Sequence, residues 1–263
     1  IFEKDVERLN YTEECKIIQF IFNDQWMRLR EYCNSKGVKI IGDMPIYIGE
    51  KSCDVLSNSS LFELDGDGKM LFQSGCPPCE YNLDGQLWGT PTYRWRTHKE
   101  TDYNWWIKRF NKLFEMVDII RLDHFIGYLR YYRIPIGDTT AENGEWIDGP
   151  GHDLFINLKS RINNLNVIVE DLGDITDQVL DLRDKFKFPG MNVLQFEMES
   201  VTSLPDFPYN SLVCSGTHDN DTIKGWFKSM SHKNRKQILD VLECLEKDIN
   251  WGLINYALGT SSK

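Results

Sequence analysis

The sequence has no apolar run long enough to cross a membrane, no long run of Lys or Arg, and no segment of low complexity. A membrane-spanning helix needs about 20 consecutive apolar residues, so we expect no membrane partner. The net charge of −10 and the pI near 5.1 would repel a phosphate backbone, so we expect no nucleic-acid partner. Without internal repeats or a Pro- or Gly-rich linker, the 263 residues are predicted to form one domain.

The cysteines lack the spacing of a disulfide framework. They number seven, an odd count, and they are scattered through apolar segments. This usage is typical of a reducing compartment, so we expect a cytoplasmic protein. Because the sequence begins at Ile1, an organellar targeting peptide stays open as an alternative.

Two motifs that resemble metal sites lack essential residues. Cys76 and Cys79 form a CxxC pair, but no second pair completes a tetrahedral zinc site. The segment LDGDGK (64–69) has Met70 where a calcium loop starting at Asp65 requires glycine. We therefore predict a turn at 64–69 and no metal site.

The sequence does contain helical patterns that alternate with nearly continuous apolar strands. Apolar residues from Ile18 through Phe22, Trp26, Leu29 and Cys33 recur every three or four positions, which predicts a helix. Two later helices are predicted to begin at Thr101 or Asp102 and at Thr176. Strands are predicted at 38–43, 118–123, 166–170, 191–196 and 211–219.

This alternation predicts an α/β protein with a parallel sheet covered on both faces. A closed barrel needs eight strands, whereas the excursions at 44–100 and 124–152 are predicted to add no barrel strands. The pattern alone leaves two alternatives, an open sheet or part of a larger barrel.

Three carboxylates close three of the apolar strands, namely Asp123, Glu170 and Asp219. In an α/β barrel the carboxyl ends of the strands face one pocket, so these side chains can converge despite their separation in sequence. Asp219 lies between His218 and Asn220, a polar group suited to sugar hydroxyls. Together the three acids favour sugar chemistry.

The neighbours of two of these acids predict different ionisation. The strand period of two places Arg121 beside Asp123, which favours an ionised carboxylate; a purely structural ion pair would have the same sequence. Glu170 follows three apolar residues and precedes Asp171, so burial and a nearby negative charge are both expected to raise its pKa. A simple role in capping the next helix is the alternative.

An aromatic segment at 76–95 offers flat faces for sugar rings through Trp88, Tyr93 and Trp95, with Gln86 available for hydroxyls. A structural cover over the core is the alternative interpretation of these rings.

Six segments, taken in order, are similar to the 4-α-glucanotransferases of glycoside hydrolase family 77, also called amylomaltases. The resemblance implies a (β/α)8 TIM barrel of the α-amylase clan, present here only in part, at about strands 3 to 7. Residues 1–263 would be a catalytic fragment without the N- and C-terminal barrel strands, with 44–100 inserted over the active site. The segments are GDMPIYI (42–48), GQLWGTP (85–91), RLDHFIG (121–127), EDLGDIT (170–176), FPGMNVLQF (188–196) and GTHDND (216–221).

The same resemblance implies roles for the individual residues. Asp123 would be the nucleophile, Glu170 the acid/base, and Asp219 the carboxylate that binds and distorts the sugar. The implied substrate-binding residues are Arg121, His124, His218, Asp43, Gln86, Trp88 and Tyr81.

The implied reaction transfers a segment of a malto-oligosaccharide to the 4-hydroxyl of another α-1,4-glucan, with retention and without a cofactor. Three alternatives stay open: an α-glucan hydrolase, a non-catalytic α-glucan-binding protein, and a magnesium-dependent barrel enzyme. The sequence departs from the family pattern at Leu56 and at Cys79 and Glu80, and the latter pair lies in the loop implied to contact the acceptor.

Overall fold

The computed structural model of the protein describes residues 2–80, 82–199 and 201–262. Its strands are β1 (Ile41–Met44), β2 (Phe72–Cys76), β3 (Gln86–Pro91), β4 (Ile119–Leu122), β5 (Arg130–Pro135), β6 (Glu145–Asp148), β7 (Val167–Val169), β8 (Gly190–Val193) and β9 (Ser211–Cys214). Its helices are α1 (Phe2–Ser35), α2 (Cys53–Ser57), α3 (Trp95–Glu100), α4 (Asn104–Met116), α5 (Ile126–Leu129), α6 (His152–Arg161), α7 (Asp177–Phe186), α8 (Leu194–Glu197), α9 (Ile223–Ser229), α10 (His232–Leu242) and α11 (Ile249–Gly259). Single 3₁₀ turns lie at Ser59–Leu61 and Glu246–Asp248.

Five strands form the parallel scaffold that the sequence predicts. β4 lies between β1 and β7, and β8 pairs with β9, all in parallel ladders. A backbone hydrogen bond from the N–H of Val169 to the carbonyl of Pro189, 2.9 Å long, joins the two groups. The carboxyl ends of β1, β4 and β7 therefore lie side by side, where a barrel has its active site.

Three parts of the scaffold differ from the sequence prediction. The strand predicted at 211–219 ends at Cys214, so Asp219 lies in the turn that follows and does not close the strand. The strand predicted at 191–196 ends at Val193, because the chain turns there into the short helix α8, whose Leu194 is buried. A short apolar run does not distinguish a strand from a buried helix. The excursions at 44–100 and 124–152 are also not simple loops, since together they build the antiparallel sheet β3-β2-β5-β6.

Helix α1 confirms the predicted helical pattern, but most of the predicted face is not buried. Ile18, Phe22 and Leu29 are exposed among the described residues. Trp26 packs against the main core and donates its indole N–H to the carbonyl of Met116 at 2.8 Å. No helix in the described part of the chain, α1 included, combines the length and apolarity needed to cross a bilayer.

The capping predictions are right at one helix and wrong at another. Thr176 is the N-cap residue of α7, although its hydroxyl makes no capping hydrogen bond. Helix α4 begins at Asn104, and its N-cap residue is Tyr103 rather than Thr101 or Asp102. The reason is that Thr101 closes the preceding helix α3 instead.

An aromatic core fixes the parallel strands to α4. Trp106 and Phe110 lie one turn apart on one face of that helix and are fully buried. Ile120 and Leu122 of β4 are buried in the same core cluster. Burial of a large apolar side chain contributes about 1.5–3 kcal/mol, so this contact holds the strand ends in fixed positions.

Candidate active site

An arginine and three carboxylates meet at the carboxyl ends of β1, β4 and β7. Asp43 of β1 stands opposite Arg121 of β4 in the parallel ladder. Asp123 lies two residues further, on the same side as Arg121, as the strand period predicts. Glu170 follows β7 directly and meets the same guanidinium. The predicted convergence is thus confirmed for Asp123 and Glu170, whereas the third predicted acid, Asp219, lies apart from this cluster.

The Arg121 guanidinium is the centre of this cluster, and its side chain is only 9% exposed. Nη1 lies 2.7 Å from Oδ1 of Asp43 and 3.1 Å from Oδ1 of Asp123. Nη2 forms an ion pair with Oε1 of Glu170 at 2.7 Å, without hydrogen-bond alignment. Burial lowers the pKa of Arg121, but the hydrogen bond to Asp43 and the three negative charges outweigh it and raise that pKa.

Glu170 has the electrostatic environment of a carboxyl group that can hold a proton. Burial is the main cause that raises its pKa, and the charges of Asp123 and Asp219 add to the rise. The N–H of His124, which donates to Oε2 at 2.6 Å, and the charge of Arg121 act in the opposite direction. The net result is a raised pKa, as the general acid of a glycoside mechanism requires.

The expectation that Asp171 raises the pKa of Glu170 is wrong. Asp171 forms an ion pair with Arg183 at 2.6 Å and accepts a hydrogen bond from the N–H of Met191 at 2.8 Å. Consecutive residues at the end of a strand point to opposite sides, so Asp171 faces the neighbouring helix and strand. The negative charges that act on Glu170 come instead from Asp123 and Asp219.

Both oxygens of the Asp123 carboxylate have a fixed partner. Oδ1 contacts Arg121, and Oδ2 accepts a hydrogen bond from the N–H of Ile46 at 3.2 Å. The side chain is 30% exposed, so an oxygen can still reach a ligand in the cleft. This geometry fixes the orientation of the carboxylate, as a nucleophile requires.

Asp219 lies at the rim rather than inside the cluster. It follows β9 in a turn in which Asn220 accepts hydrogen bonds from the N–H and hydroxyl of Thr217. Its side chain is 65% exposed, and Oδ2 lies 3.5 Å from Nε2 of the equally exposed His218. The charge of Asp219 acts on Glu170, but no direct contact with the Arg121 cluster exists among the described residues.

An aromatic edge adjoins the cluster through His124. The indole of Trp88 meets the His124 ring edge-on at 4.9 Å and receives support from Gln86, whose Oε1 accepts its N–H at 2.9 Å. The imidazole of His124 packs tightly, and burial lowers its pKa to about 4. His124 has φ of +45°, a left-handed turn that also presents its N–H to Glu170.

Two other aromatic residues of the predicted segment, Tyr93 and Trp95, do not line the cleft. Tyr93 is fully buried, and the Trp95 ring stacks on the buried Trp106 ring at 5.6 Å, so the structural-cover interpretation is right for both. Tyr81 lies outside the described residues.

The two motifs that resemble metal sites have other structures. Leu64 and Met70 pair across a turn in which Asp65 accepts the N–H of Lys69 at 2.9 Å, so the turn prediction is confirmed. Cys76 and Cys79 are free thiols. Within 2–80, 82–199 and 201–262, no group of three His, Cys, Asp or Glu side chains could hold a metal ion.

Sequence reasoning missed Arg109 of α4, which contacts the loop that follows β1. It donates to the carbonyl of Pro45 at 2.5 Å and lies 5.2 Å from the ring centroids of both Trp105 and Trp106. A local signal was present, because an arginine three and four residues after two tryptophans lies on the same side of a helix as their rings.

A family model described as 4-alpha-glucanotransferase, glycoside hydrolase family 77, matches residues 3–263. The chain belongs to the 4-alpha-glucanotransferase family. The member from Streptococcus pneumoniae serotype 4 is 45% identical over 218 residues, which cover 81% of this chain and 43% of that protein. The member from Synechocystis is 42% identical over 250 residues, covering 92% of this chain and 50% of that protein. The chain thus spans about half the length of the curated relatives it matches.

Solved structures place the fold in the same family. The amylomaltase from Streptococcus agalactiae in complex with acarbose superposes with a TM-score of 0.87 at 36% identity, covering 93% of this chain and 50% of that one. The amylomaltase from Corynebacterium glutamicum matches at 20% identity and a TM-score of 0.68, covering 90% of this chain and 33% of that one. This match supports the fold alone. The fold class is therefore the (β/α)8 barrel of the α-amylase clan, represented in part. The domain limits 1–263 and 44–100 stay predictions.

The raised pKa of Glu170 predicts a pH-dependent gain in stability on replacing it. The raised pKa means that charged Glu170 costs folding free energy above that pKa, whereas below the ordinary glutamate pKa of about 4.3 the residue is protonated in both states. Glu170→Gln should therefore raise Tm at pH 8 by a few degrees, since about 1 kcal/mol moves Tm by about 2–4 °C. The gain should disappear at pH 4.

Differential scanning calorimetry of the two proteins at both pH values measures this. Asp171→Asn is the matched control, because it removes a carboxylate that is already paired with Arg183. An equal Tm gain for Glu170→Gln at pH 4 and pH 8 would contradict the electrostatic assignment.

Proposed function

We propose that the protein is a 4-α-glucanotransferase that moves an α-1,4-glucan segment from a donor malto-oligosaccharide to the 4-hydroxyl of an acceptor. One observation carries this proposal: Asp123 and Glu170 are held by the same guanidinium, that of Arg121. Two carboxylates that share one guanidinium are close neighbours. A retaining glycoside mechanism needs its two carboxyl groups only about 5–5.5 Å apart.

In the first step of the proposed mechanism, Glu170 donates its proton to the glycosidic oxygen. An oxygen of Asp123 attacks the anomeric carbon, the bond from that carbon to the leaving glucan breaks, and a covalent glucosyl-enzyme forms. The raised pKa of Glu170 supports its role as the acid, and the fixed orientation of Asp123 supports its role as the nucleophile.

In the second step, the Glu170 carboxylate accepts the proton of the acceptor 4-hydroxyl. The acceptor oxygen attacks the anomeric carbon and Asp123 leaves, so an α-1,4 bond is formed again and no cofactor is consumed. Transfer exceeds hydrolysis when the acceptor glucan excludes water from this step.

The surrounding residues are proposed to bind the glucan. The exposed Asp219 and His218 are free to reach sugar hydroxyls from the rim. Trp88 offers a ring face next to the cluster, and Gln86 an amide. Asp43 and His124 complete the donor site beside Arg121, and Tyr81 keeps its predicted role in substrate binding.

The seven free thiols support a reducing compartment. The cytoplasm and a plastid both meet this condition, and the related protein of Solanum tuberosum, 39% identical over 250 residues, is named chloroplastic/amyloplastic. The charge of −10 supports an uncharged partner, as malto-oligosaccharides are.

Incubation of the full-length protein with maltotriose, followed by chromatography, tests the proposal. A transferase yields glucose together with oligosaccharides longer than maltotriose. Only shorter sugars would indicate a hydrolase, and binding without any product would indicate a non-catalytic glucan-binding protein.

A further inference from the structure

A single peptide group connects Arg109 to Asp123. The carbonyl of Pro45 accepts a hydrogen bond from Nη2 of Arg109 at 2.5 Å. The N–H of the same peptide group, which belongs to Ile46, donates to Oδ2 of Asp123 at 3.2 Å. A cation, a peptide dipole and a carboxylate thus lie in one hydrogen-bonded chain.

We propose that Arg109 is a positioning residue for Asp123, acting through the Pro45–Ile46 peptide. The inference rests on the proposed function for its catalytic consequence, though not for its structural part. Hydrogen bonds in a chain polarise one another, so a cation on the carbonyl makes the N–H a better donor to the carboxylate. Arg109 therefore fixes both the orientation and the donor strength of the group that holds Oδ2.

The polar partners of the Arg109 guanidinium include backbone carbonyls of the loop after β1, and the shorter of these hydrogen bonds goes to Pro45. Among the described residues, no Asp or Glu side chain lies within ion-pair distance of it, unlike Arg121. Its guanidinium is instead held over the Trp105 and Trp106 rings, 5.2 Å from each centroid. An arginine fixed in this way has its charge directed to the loop after β1.

Tyr93 anchors the carbonyl of the next peptide group, Ile46–Tyr47. The buried Tyr93 hydroxyl donates to the carbonyl of Ile46 at 2.5 Å, and Nη1 of Arg109 reaches that oxygen at 3.4 Å. The Ile46 side chain is itself buried. Because the carbonyl and N–H of one planar peptide group point in opposite directions, the hydrogen bond from Arg109 to the Pro45 carbonyl orients the N–H of Ile46 toward Asp123.

Loss of Arg109 should therefore slow the chemical step more than it weakens binding. Arg109→Gln removes the positive charge and the ability to donate to the carbonyls of both Pro45 and Ile46. We therefore expect kcat to fall about 10- to 100-fold with KM nearly unchanged, as for a small misplacement of a reacting group. Arg109→Lys, which can still donate one charged hydrogen bond, should recover part of the loss. Lys108→Gln is the matched control, because Lys108 is the exposed neighbour on the same helix.

A nuclear magnetic resonance measurement tests the hydrogen-bonded chain without relying on activity. The sequence contains two Pro-Ile pairs, 45–46 and 135–136. With ¹³C-labelled proline and ¹⁵N-labelled isoleucine, an HNCO spectrum detects only amides that follow a proline carbonyl. Two signals therefore remain, those of Ile46 and Ile136. Ile136 donates to the carbonyl of Leu71 in the antiparallel sheet at 3.3 Å, which makes it an internal control.

We expect the Ile46 amide proton to shift upfield in Asp123→Asn and also in Arg109→Gln, with Ile136 unchanged in both. Lys108→Gln should move neither signal. An Ile46 signal unaffected by Arg109→Gln, or one that moves only as much as Ile136, overturns the proposal. If the wild-type protein shows no transfer, the proposed function fails, and the Ile46 amide shift still tests the hydrogen bonds from Arg109 to Asp123. If the wild type is active and Arg109→Gln keeps full kcat, only the positioning role fails.

Discussion

Replacing Asp123 with asparagine is expected to reduce maltotriose turnover by about 10⁴-fold or more, as for loss of a nucleophile in other enzymes. An amide cannot form the covalent bond to the anomeric carbon, so the first step has no pathway of comparable rate. Binding should persist, since Asp43, Arg121 and the rim at Asp219 stay in place. Steady-state kinetics and calorimetric titration with maltoheptaose measure the two effects separately.

Asp118→Asn is the matched control for this variant. Asp118 lies just before β4, at the opposite end of the strand from Asp123, and also pairs with an arginine, Arg30, at 2.9 Å. Barrel strands carry stability at their amino ends and chemistry at their carboxyl ends. The control should lower stability by about 1–3 kcal/mol and leave kcat intact. Near-normal turnover in Asp123→Asn would exclude it as the nucleophile.

Replacing Glu170 with glutamine is expected to slow transfer between natural glucans by about 10²–10⁴-fold, because both proton transfers lose their partner. The effect should depend on the leaving group. A donor such as maltosyl fluoride needs no protonation, so the covalent intermediate should form quickly and then accumulate. Azide needs no general base, so it should restore the second step and yield a retained glycosyl azide.

Asp171→Asn separates this chemistry from a change in local charge. It alters the adjacent carboxylate, which faces Arg183 rather than the cluster. We expect kcat of that variant to depend on the leaving group as in the wild type. If Glu170→Gln slowed fluoride and maltotriose donors equally, and azide had no effect, its acid/base role would be wrong.

The strand ends could be predicted because their signals are local. Apolar runs mark the strands that lead to Asp123 and Glu170, and the period of two correctly placed Arg121 beside Asp123. The same rule could not decide which of Glu170 and Asp171 faces the cleft, because a sequence does not show the direction of a strand face. The resemblance to the family, and then the structure, supplied that choice.

Contacts between distant segments could not be predicted. Arg109 and the carbonyl of Pro45 are 64 residues apart, and the antiparallel sheet joins β2 to β5 across more than fifty. An aromatic residue also has no pattern that separates a ligand platform from core packing. Trp88 lies in β3 against His124, whereas Tyr93, beyond the end of that strand, pairs with Phe62 and is buried.

The most direct test of the account is to identify the residue that carries the sugar. Glu170→Gln protein would be mixed with maltosyl fluoride, quenched in acid, digested, and analysed by tandem mass spectrometry. We expect a maltosyl group on the peptide that contains Asp123, attached at that residue. A sugar attached elsewhere, or an inverted product without any covalent intermediate, would contradict it.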